Sequence, residues 1–310
     1  MKFIKSIPMA TCGISLSLAA LGNLLLPLPY GARIRYGLGI FSFAVLILFL
    51  LKCFLDHAHA KEELKTPVPM SVLPTVTMAS MLLTTYIRPH IPVVALFLWY
   101  CAVVIHICII LVFCKRFVFN FQRKNVFPSW FVQGVGMVTI SVTAPAMGAV
   151  QIGQIVFYIG FVLYFIIFTL VVIRMNTVRT FPEPARKTVA IFTAPMSLLT
   201  VGYFNSFVFQ DQSIPALVYF LLIGAAANYI YVTCMMFSLL KIKFYPTYAA
   251  FTFPYVISAL AFRLGSDFLM ERHRLTFLPA IANVTMWIAV AVVLFVLIHY
   301  IRYFRSQLKF

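Results

Sequence analysis

The residues able to carry a proton, a metal ion or a covalent intermediate are few in this sequence, and their positions exclude most chemistry. Coupled carriers commonly keep a carboxylate near the membrane midplane as a proton or cation site. All seven carboxylates here fall at the ends of apolar stretches or between them: Asp56, Glu62, Glu63, Glu183, Asp211, Asp267 and Glu271. The distribution favours passive conduction over carboxylate-mediated coupling. It also supplies neither an acidic magnesium cluster nor an HExxH zinc motif.

Histidine offers two candidate sites, and both are better explained without chemistry. His106 lies inside an apolar stretch that has no acidic residue, so a neutral ring bonded to an adjacent helix is favoured over a proton relay. His57 and His59 precede Glu62 and Glu63, where a solvated loop is favoured over a metal site. The six cysteines lack metal-ligand spacing and are interpreted as buried apolar side chains. We therefore expect no catalytic residue, no cofactor and no metal, and a protein that is not an enzyme.

One phenylalanine is distinguished by its neighbours. In the segment 248–255, with the sequence YAAFTFPY, Phe253 follows Thr252 and directly precedes Pro254. A helix broken at this proline could hold the ring across a lumen, where a large apolar side chain closes a path by steric block and dewetting. The chain has 32 phenylalanines, so packing or lipid contact is the alternative for this ring.

The composition shows which solvent surrounds these residues. Of the 310 residues, 63% are apolar and only 10% are charged, and the mean hydropathy is +1.00. A soluble protein needs about a quarter of its residues charged, so a soluble globular protein is excluded. With 32 Phe and only 3 Trp, the aromatic content suits lipid-facing helices better than a stacking surface for bases. Membrane lipid is the expected partner, and nucleic acid is not.

Long apolar runs predict an all-α polytopic membrane protein that forms a single domain over residues 1–310. Each run is long enough to cross about 30 Å of hydrocarbon as a helix, and none alternates as barrel strands do. Of the 24 Lys and Arg residues, 18 fall on the side of the N-terminus, which places both termini in the cytoplasm. The ten predicted spans are 7–26, 36–55, 70–87, 92–114, 128–147, 151–173, 188–207, 215–240, 246–264 and 279–301.

Proline and hydroxyl residues separate the odd spans from the even ones. The odd spans hold 21 Ser and Thr against 5 in the even spans, where proline occurs only in first turns. We interpret the odd helices as an inner layer around a central path, with the even helices outside against lipid. Hydroxyls at ordinary helix contacts are the alternative. The positions expected to line or bend the path are Pro74, Thr77, Thr143, Pro145, Thr193, Pro195, Thr252 and Pro254, besides Pro8 at the start of span one.

An uncharged, hydroxyl-lined path suits a small anion. Helices broken at proline can direct backbone N–H groups and a positive dipole end into the lumen, and such weak binding permits fast passage. The basic loops at 115–124 and 174–187 are expected to set topology and to contact anionic lipid.

Several short motifs resemble those of the TehA-like tellurite-resistance and C4-dicarboxylate transporter family, which is related to plant guard-cell slow anion channels and yeast malate permeases. The resemblance implies five helical hairpins in quasi-fivefold arrangement, a homotrimer with a pore in each protomer, and a plasma-membrane location (the bacterial inner membrane). It implies that Phe253 is the pore gate and that Gly13 faces the pore. The motifs are 250–254 (AFTFP), Pro8 with 13–21 (GISLSLAAL), 66–68 (TPV), and Glu183-Pro184 with Arg186.

These observations predict a channel for small inorganic or carboxylate anions. The alternative is a secondary carrier or exporter of C4-dicarboxylates such as malate, or of oxyanions such as sulfite or tellurite. A membrane enzyme or receptor scaffold would need a cofactor or a soluble partner, and the sequence offers no site for either.

Overall fold

The computed structural model of the protein describes residues 7–178 and 181–308, and every regular element in these ranges is helical. Four residues counted toward the predicted cytoplasmic side, Lys2, Lys5, Arg179 and Lys309, lie outside the described ranges. The α-helices are α1 (Cys12–Leu25), α2 (Gly31–Leu55), α3 (His57–Glu63), α4 (Pro67–Val72), α5 (Thr75–Ile87), α6 (Pro92–Phe113), α7 (Trp130–Gly134), α8 (Thr139–Thr143), α9 (Val150–Thr177), α10 (Glu183–Arg186), α11 (Ala194–Ser206), α12 (Pro215–Leu240), α13 (Thr252–His273) and α14 (Leu278–Leu308).

Short 3₁₀ turns and one π turn extend or connect these helices. They lie at Met9–Thr11, Cys114–Val118 (the π turn), Arg123–Asn125, Gly136–Val138, Pro145–Met147, Lys187–Thr193, Val208–Gln210 and Pro246–Phe251.

Eight helical stretches in the described ranges are long and apolar enough to cross a membrane. Two further apolar stretches, Met9–Leu25 and Trp130–Thr143, are shorter than 18 residues. They correspond to the predicted spans 7–26 and 128–147, which therefore begin or end outside regular helix. Glycine and proline account for the second case, because a 3₁₀ turn at Pro145–Met147 and left-handed Gly148 (φ 74°) end the helical run.

The bounds of the remaining spans differ from the predicted ones mainly by being longer. The span predicted at 215–240 has the bounds of α12. The ninth runs from Pro246 to His273 rather than 246–264, because helix continues past the apolar region through residues such as Asp267 and Glu271. The segment predicted as a loop around His57 and His59 is helix α3.

Burial separates the crossing helices into two layers. The stretches Pro67–Ile87, Glu183–Gln210 and Pro246–His273 are 61%, 89% and 72% buried over their most apolar window. The helices α2, α6, α9, α12 and α14 are only 28 to 33% buried over theirs. We call the latter five the outer helices. The inner segments are the three buried stretches together with Met9–Leu25 and Trp130–Thr143.

The inner segments contact one another in a closed ring. Around the ring, α1 packs on α5, α5 on α8, α8 on α11, α11 on α13, and α13 returns to α1. Each outer helix packs on the inner segment that precedes it in the chain. A space at the centre of the molecule is therefore bounded mainly by inner segments.

The inner segments are interrupted, whereas the outer helices are continuous. In four of them a 3₁₀ turn or a break lies next to a proline, as at Pro74 between α4 and α5 and at Pro195 after Lys187–Thr193. The outer helices α6 and α12 carry proline only as their first residue. Proline at that position interrupts no hydrogen bond, because the first N–H groups of a helix have no partner within it.

Candidate functional site

A cavity of about 260 Å³ lies within the ring, and all five inner segments contribute to its wall. Apart from Pro8 and Glu63, its lining residues come from the first half or the middle of an inner segment, so the cavity lies toward the end of the ring at which the inner segments begin. We call this end the proximal end. Representative wall residues are Leu16, Val72, Val135, Leu198 and Ala250.

Phe253 forms part of the cavity wall together with its neighbour Pro254. The side chain is 7% exposed and lies in the first turn of α13, directly after the 3₁₀ turn Pro246–Phe251. Because Pro254 has no N–H, it cannot donate a helical hydrogen bond at this turn. Pro254, which follows Phe253, thus lies at the change from 3₁₀ to α geometry.

Buried hydroxyls hold the start of α13 against the neighbouring inner segment. Ser258 Oγ lies 2.8 Å from Ser197 Oγ and donates to the carbonyls of Pro254 (2.9 Å) and Thr193 (3.1 Å) as alternative acceptors. All these hydroxyls are fully buried. The helix turn that carries Phe253 is therefore tied directly to the segment that carries Pro195.

Of the eleven positions predicted to gate, line or bend the path, five lie in the cavity wall: Pro8, Gly13, Pro195, Phe253 and Pro254. Pro74 and Pro145 lie at helix breaks outside this wall. The four threonines also lie outside it, and each hydroxyl has a partner within the protein. Thr77 bonds to Pro74 O and His106, Thr143 to Thr139 O and Trp99, Thr193 to Ala190 O, and Thr252 to Ala249 O.

The expectation of a hydroxyl-lined path is corrected for this cavity. Among the described lining residues three carry a hydroxyl, and each donates it to a nearby backbone carbonyl. Thr75 donates to Val72 (2.7 Å), Thr188 to Ala185 (2.6 Å) and Thr247 to Pro184 (2.7 Å). Breaks in the inner segments free such carbonyls, and short polar side chains satisfy them. The wall that remains is predominantly apolar.

Sequence reasoning missed Glu63, which is the only charged residue among the described residues of the cavity wall. Its Oε1 accepts from Lys52 Nζ at 2.7 Å and lies 3.1 Å from His59 Nε2. The Lys52 side chain is fully buried, while that of Glu63 is 24% exposed. Lys52, in the last turn of a helix whose second half is otherwise apolar, was the signal in the sequence, because a buried ammonium needs acceptors and a carboxylate is the strongest of them.

His106 bonds across the two layers rather than into the cavity. Its Nδ1 lies 2.7 Å from Thr77 Oγ1, which joins the outer helix α6 to the inner α5. The ring is fully buried. This is the hydrogen bond to an adjacent helix that the sequence favours.

Two basic residues expected to contact lipid are buried in protein instead. Lys187 is fully buried; its Nζ donates to the carbonyls of Lys243 (2.9 Å) and Ile242 (3.1 Å) and lies 2.9 Å from the centre of the Tyr248 ring. Arg174 is 1% exposed and bonds to Val178 O, with its guanidinium over the Phe181 ring. Carbonyls at helix ends have no helical partner, and these side chains satisfy some of them.

The chain matches the model of the voltage-dependent anion channel family, SLAC1, over residues 4–301. It belongs to this family, which is the one that the motifs around Phe253 resemble. No curated protein matches the chain significantly. Members of the family are anion channels or transporters rather than enzymes. The prediction of a multi-pass membrane protein with a general role in anion transport is confirmed.

Proposed function

We propose that the protein is an anion channel in which ten helical segments form five hairpins around a central pore gated by Phe253. The observation that carries this proposal is the single cavity wall built from all five inner segments, with Phe253 in it. The apolar side chain of Phe253 at this position narrows the path and favours its dewetting.

Family membership supports an anion as the conducted ion. The helices α1, α11 and α13 begin with residues in or next to the wall, and the first N–H of each bonds to a carbonyl of the preceding 3₁₀ turn. The wall therefore offers an anion weak binding, which permits fast passage.

The composition of the wall favours a channel over the alternative carrier of C4-dicarboxylates or oxyanions. No lysine, arginine or histidine is among the described residues of the wall. A binding site for a dicarboxylate normally offers a charge-assisted or bidentate partner, which this wall does not provide. The cavity therefore suits weak binding and passage of an anion better than tight binding of a dicarboxylate.

The remaining features of the proposal concern placement in the membrane. The excess of Lys and Arg near the proximal end supports cytoplasmic termini and a plasma-membrane protein whose cavity opens toward the cytoplasm. The family resemblance supports a homotrimer with one pore per protomer. Exposed apolar side chains on the outer helices suit either lipid or a neighbouring protomer.

The test is anion current across a planar bilayer for the wild type, Phe253→Ala and Phe251→Ala, with chloride, nitrate and malate compared. Phe251 is the matched control, because it is equally aromatic and 1% exposed but does not line the cavity. We expect current to rise about tenfold or more in Phe253→Ala only. Equal currents in all three proteins, each confirmed in the membrane, would contradict the proposed gate.

A further inference from the structure

The cavity wall presents one charge, and that charge is negative. Among the described wall residues, every member other than Glu63 is apolar or carries a hydroxyl already donated to a carbonyl. Glu63 is the last residue of α3 and lies at the proximal end, between the end of α2 and the start of α4. An anion approaching the cavity from this side encounters a carboxylate at its mouth.

The negative charge of Glu63 is balanced by basic side chains that do not line the cavity. Lys52 on α2 is fully buried, and its ammonium donates to Glu63 Oε1. His59, one turn earlier on α3, contacts the same oxygen but is 60% exposed. The carboxylate thus faces the cavity, whereas its main counter-charge is enclosed in protein. The pair is neutral in sum but presents its negative end to the path.

This arrangement acts on an ion in proportion to the charge that the ion carries. The Coulomb energy between a fixed charge and a mobile ion doubles when the ion is divalent. If one fixed charge lowers the local concentration of a monovalent anion by a given factor, it therefore lowers that of a divalent anion by the square of this factor. A single residue at a mouth can in this way select by valence without binding either ion.

We propose that Glu63 is a specificity-determining residue that makes the channel prefer monovalent over divalent anions. Lys52 limits the repulsion that the Glu63 carboxylate exerts on monovalent anions. The inference rests on the proposed function. It assigns a substrate class to the same pore: chloride, nitrate or a monocarboxylate passes, and sulfate or a dicarboxylate is disfavoured.

Neighbouring charges at the proximal end do not share this geometry. Glu62 lies beside Glu63 in the chain, but it is exposed, pairs with Lys65 at 2.6 Å and does not line the cavity. Lys65 lowers the pKa of the Glu62 carboxyl by hydrogen bonding and by its charge, so Glu62 also carries a negative charge at neutral pH. Glu62→Gln therefore removes the same charge from the same surface and is the matched control.

The experiment measures tracer flux into liposomes at one fixed neutral pH, with every substitution made in the open Phe253→Ala protein. Two monovalent anions, chloride and lactate, are compared with two divalent anions, sulfate and malate, so that valence is separated from size. Glu63→Gln should keep the bond to Lys52, because the amide oxygen replaces Oε1. We expect it to raise monovalent flux about threefold and divalent flux about ninefold, following the square.

Lys52→Met provides a second variant with the opposite sign. It leaves the Glu63 carboxylate with the exposed His59 as its remaining partner, so monovalent flux should fall to about a third and divalent flux to about a ninth. Glu62→Gln should change all four fluxes by the same small factor.

The outcomes separate this inference from the proposed function. No flux of any of the four anions in inserted Phe253→Ala protein would overturn the proposed channel, and this inference with it. Robust flux that changes equally for monovalent and divalent anions in Glu63→Gln would overturn the valence role of Glu63 alone. A change in Glu62→Gln as selective as that in Glu63→Gln would also overturn it, because surface charge in general would then be responsible.

Discussion

The inner segments and the outer helices differ in backbone regularity and in burial. An outer helix such as α12 is continuous over 26 residues and about a quarter buried. An inner segment such as Glu183–Gln210 changes from 3₁₀ to α geometry at Thr193 and is 89% buried. Backbone groups left unpaired by such a change are costly in hydrocarbon. Irregular backbone is therefore confined to the layer where protein or an internal cavity surrounds it.

The two layers also differ in what their polar side chains do. In the inner segments many hydroxyls bond to carbonyls or to each other, as Ser197 and Ser258 do. The outer helices leave large apolar side chains exposed, including Phe97, Ile155 and Phe237. The difference implies that small changes in packing or backbone are tolerated outside and damaging inside.

The largest effect is expected from adding one methyl group at a glycine in each layer. A Cβ at Gly202 on α11 would lie 2.6 Å from Val138 Cγ1 and 3.3 Å from Ser141 Cβ, whereas a Cβ at Gly37 on α2 meets nothing within 4 Å. Val138 is fully buried and β-branched, so it cannot move aside easily. We expect Gly202→Ala to lower stability by about 1 to 3 kcal/mol.

Gly37→Ala should leave stability unchanged or raise it by less than about 1 kcal/mol, because it replaces glycine with a better helix former. The measurement is thermal unfolding of both variants in the same detergent. Equal loss of stability in the two proteins would show that the layers do not differ in packing.

A smaller effect is expected from removing a proline in each layer. Pro195 follows the 3₁₀ turn Lys187–Thr193 and lines the cavity, so alanine there would add an N–H that can bond to Ile191 O and extend α geometry. Pro215 is the first residue of α12, where no such bond is available. We expect Pro195→Ala to change anion current severalfold and Pro215→Ala to change it less than twofold, measured with matched amounts of inserted protein. Equal changes would contradict the role assigned to the interrupted segments.

The sequence predicts the helical class, the approximate spans and the division into layers because these depend on composition and spacing. Polar content and proline position are averages over a whole segment, and they locate α12 and the buried ninth segment well. Gating by Phe253 and kinking by Pro254 stay predictions, made because the size of an aromatic ring and a missing N–H have consequences in any helix.

The direction of individual side chains could not be predicted in the same way. The Thr77 hydroxyl bonds to Pro74 O and His106 and does not line the cavity. This direction depends on the carbonyl that the break at Pro74 leaves within reach. The spacing of residues along a helix does not specify which carbonyl that is. Glu63 falls in a predicted loop, and its contact with the cavity depends on how helix α3 lies relative to Lys52 on α2. Both features are set by three-dimensional proximity between segments rather than by local pattern.

Passage of anions through the cavity inside the ring is tested most directly by a reactive thiol in the cavity wall. Ala250 lines the cavity next to the 3₁₀–α junction of the ninth segment. Current would be recorded from Phe253→Ala protein with and without Ala250→Cys while a membrane-impermeant anionic thiol reagent is applied at the proximal end. We expect lasting block only with the added cysteine. Undiminished current after labelling of that cysteine, verified by mass, would contradict it.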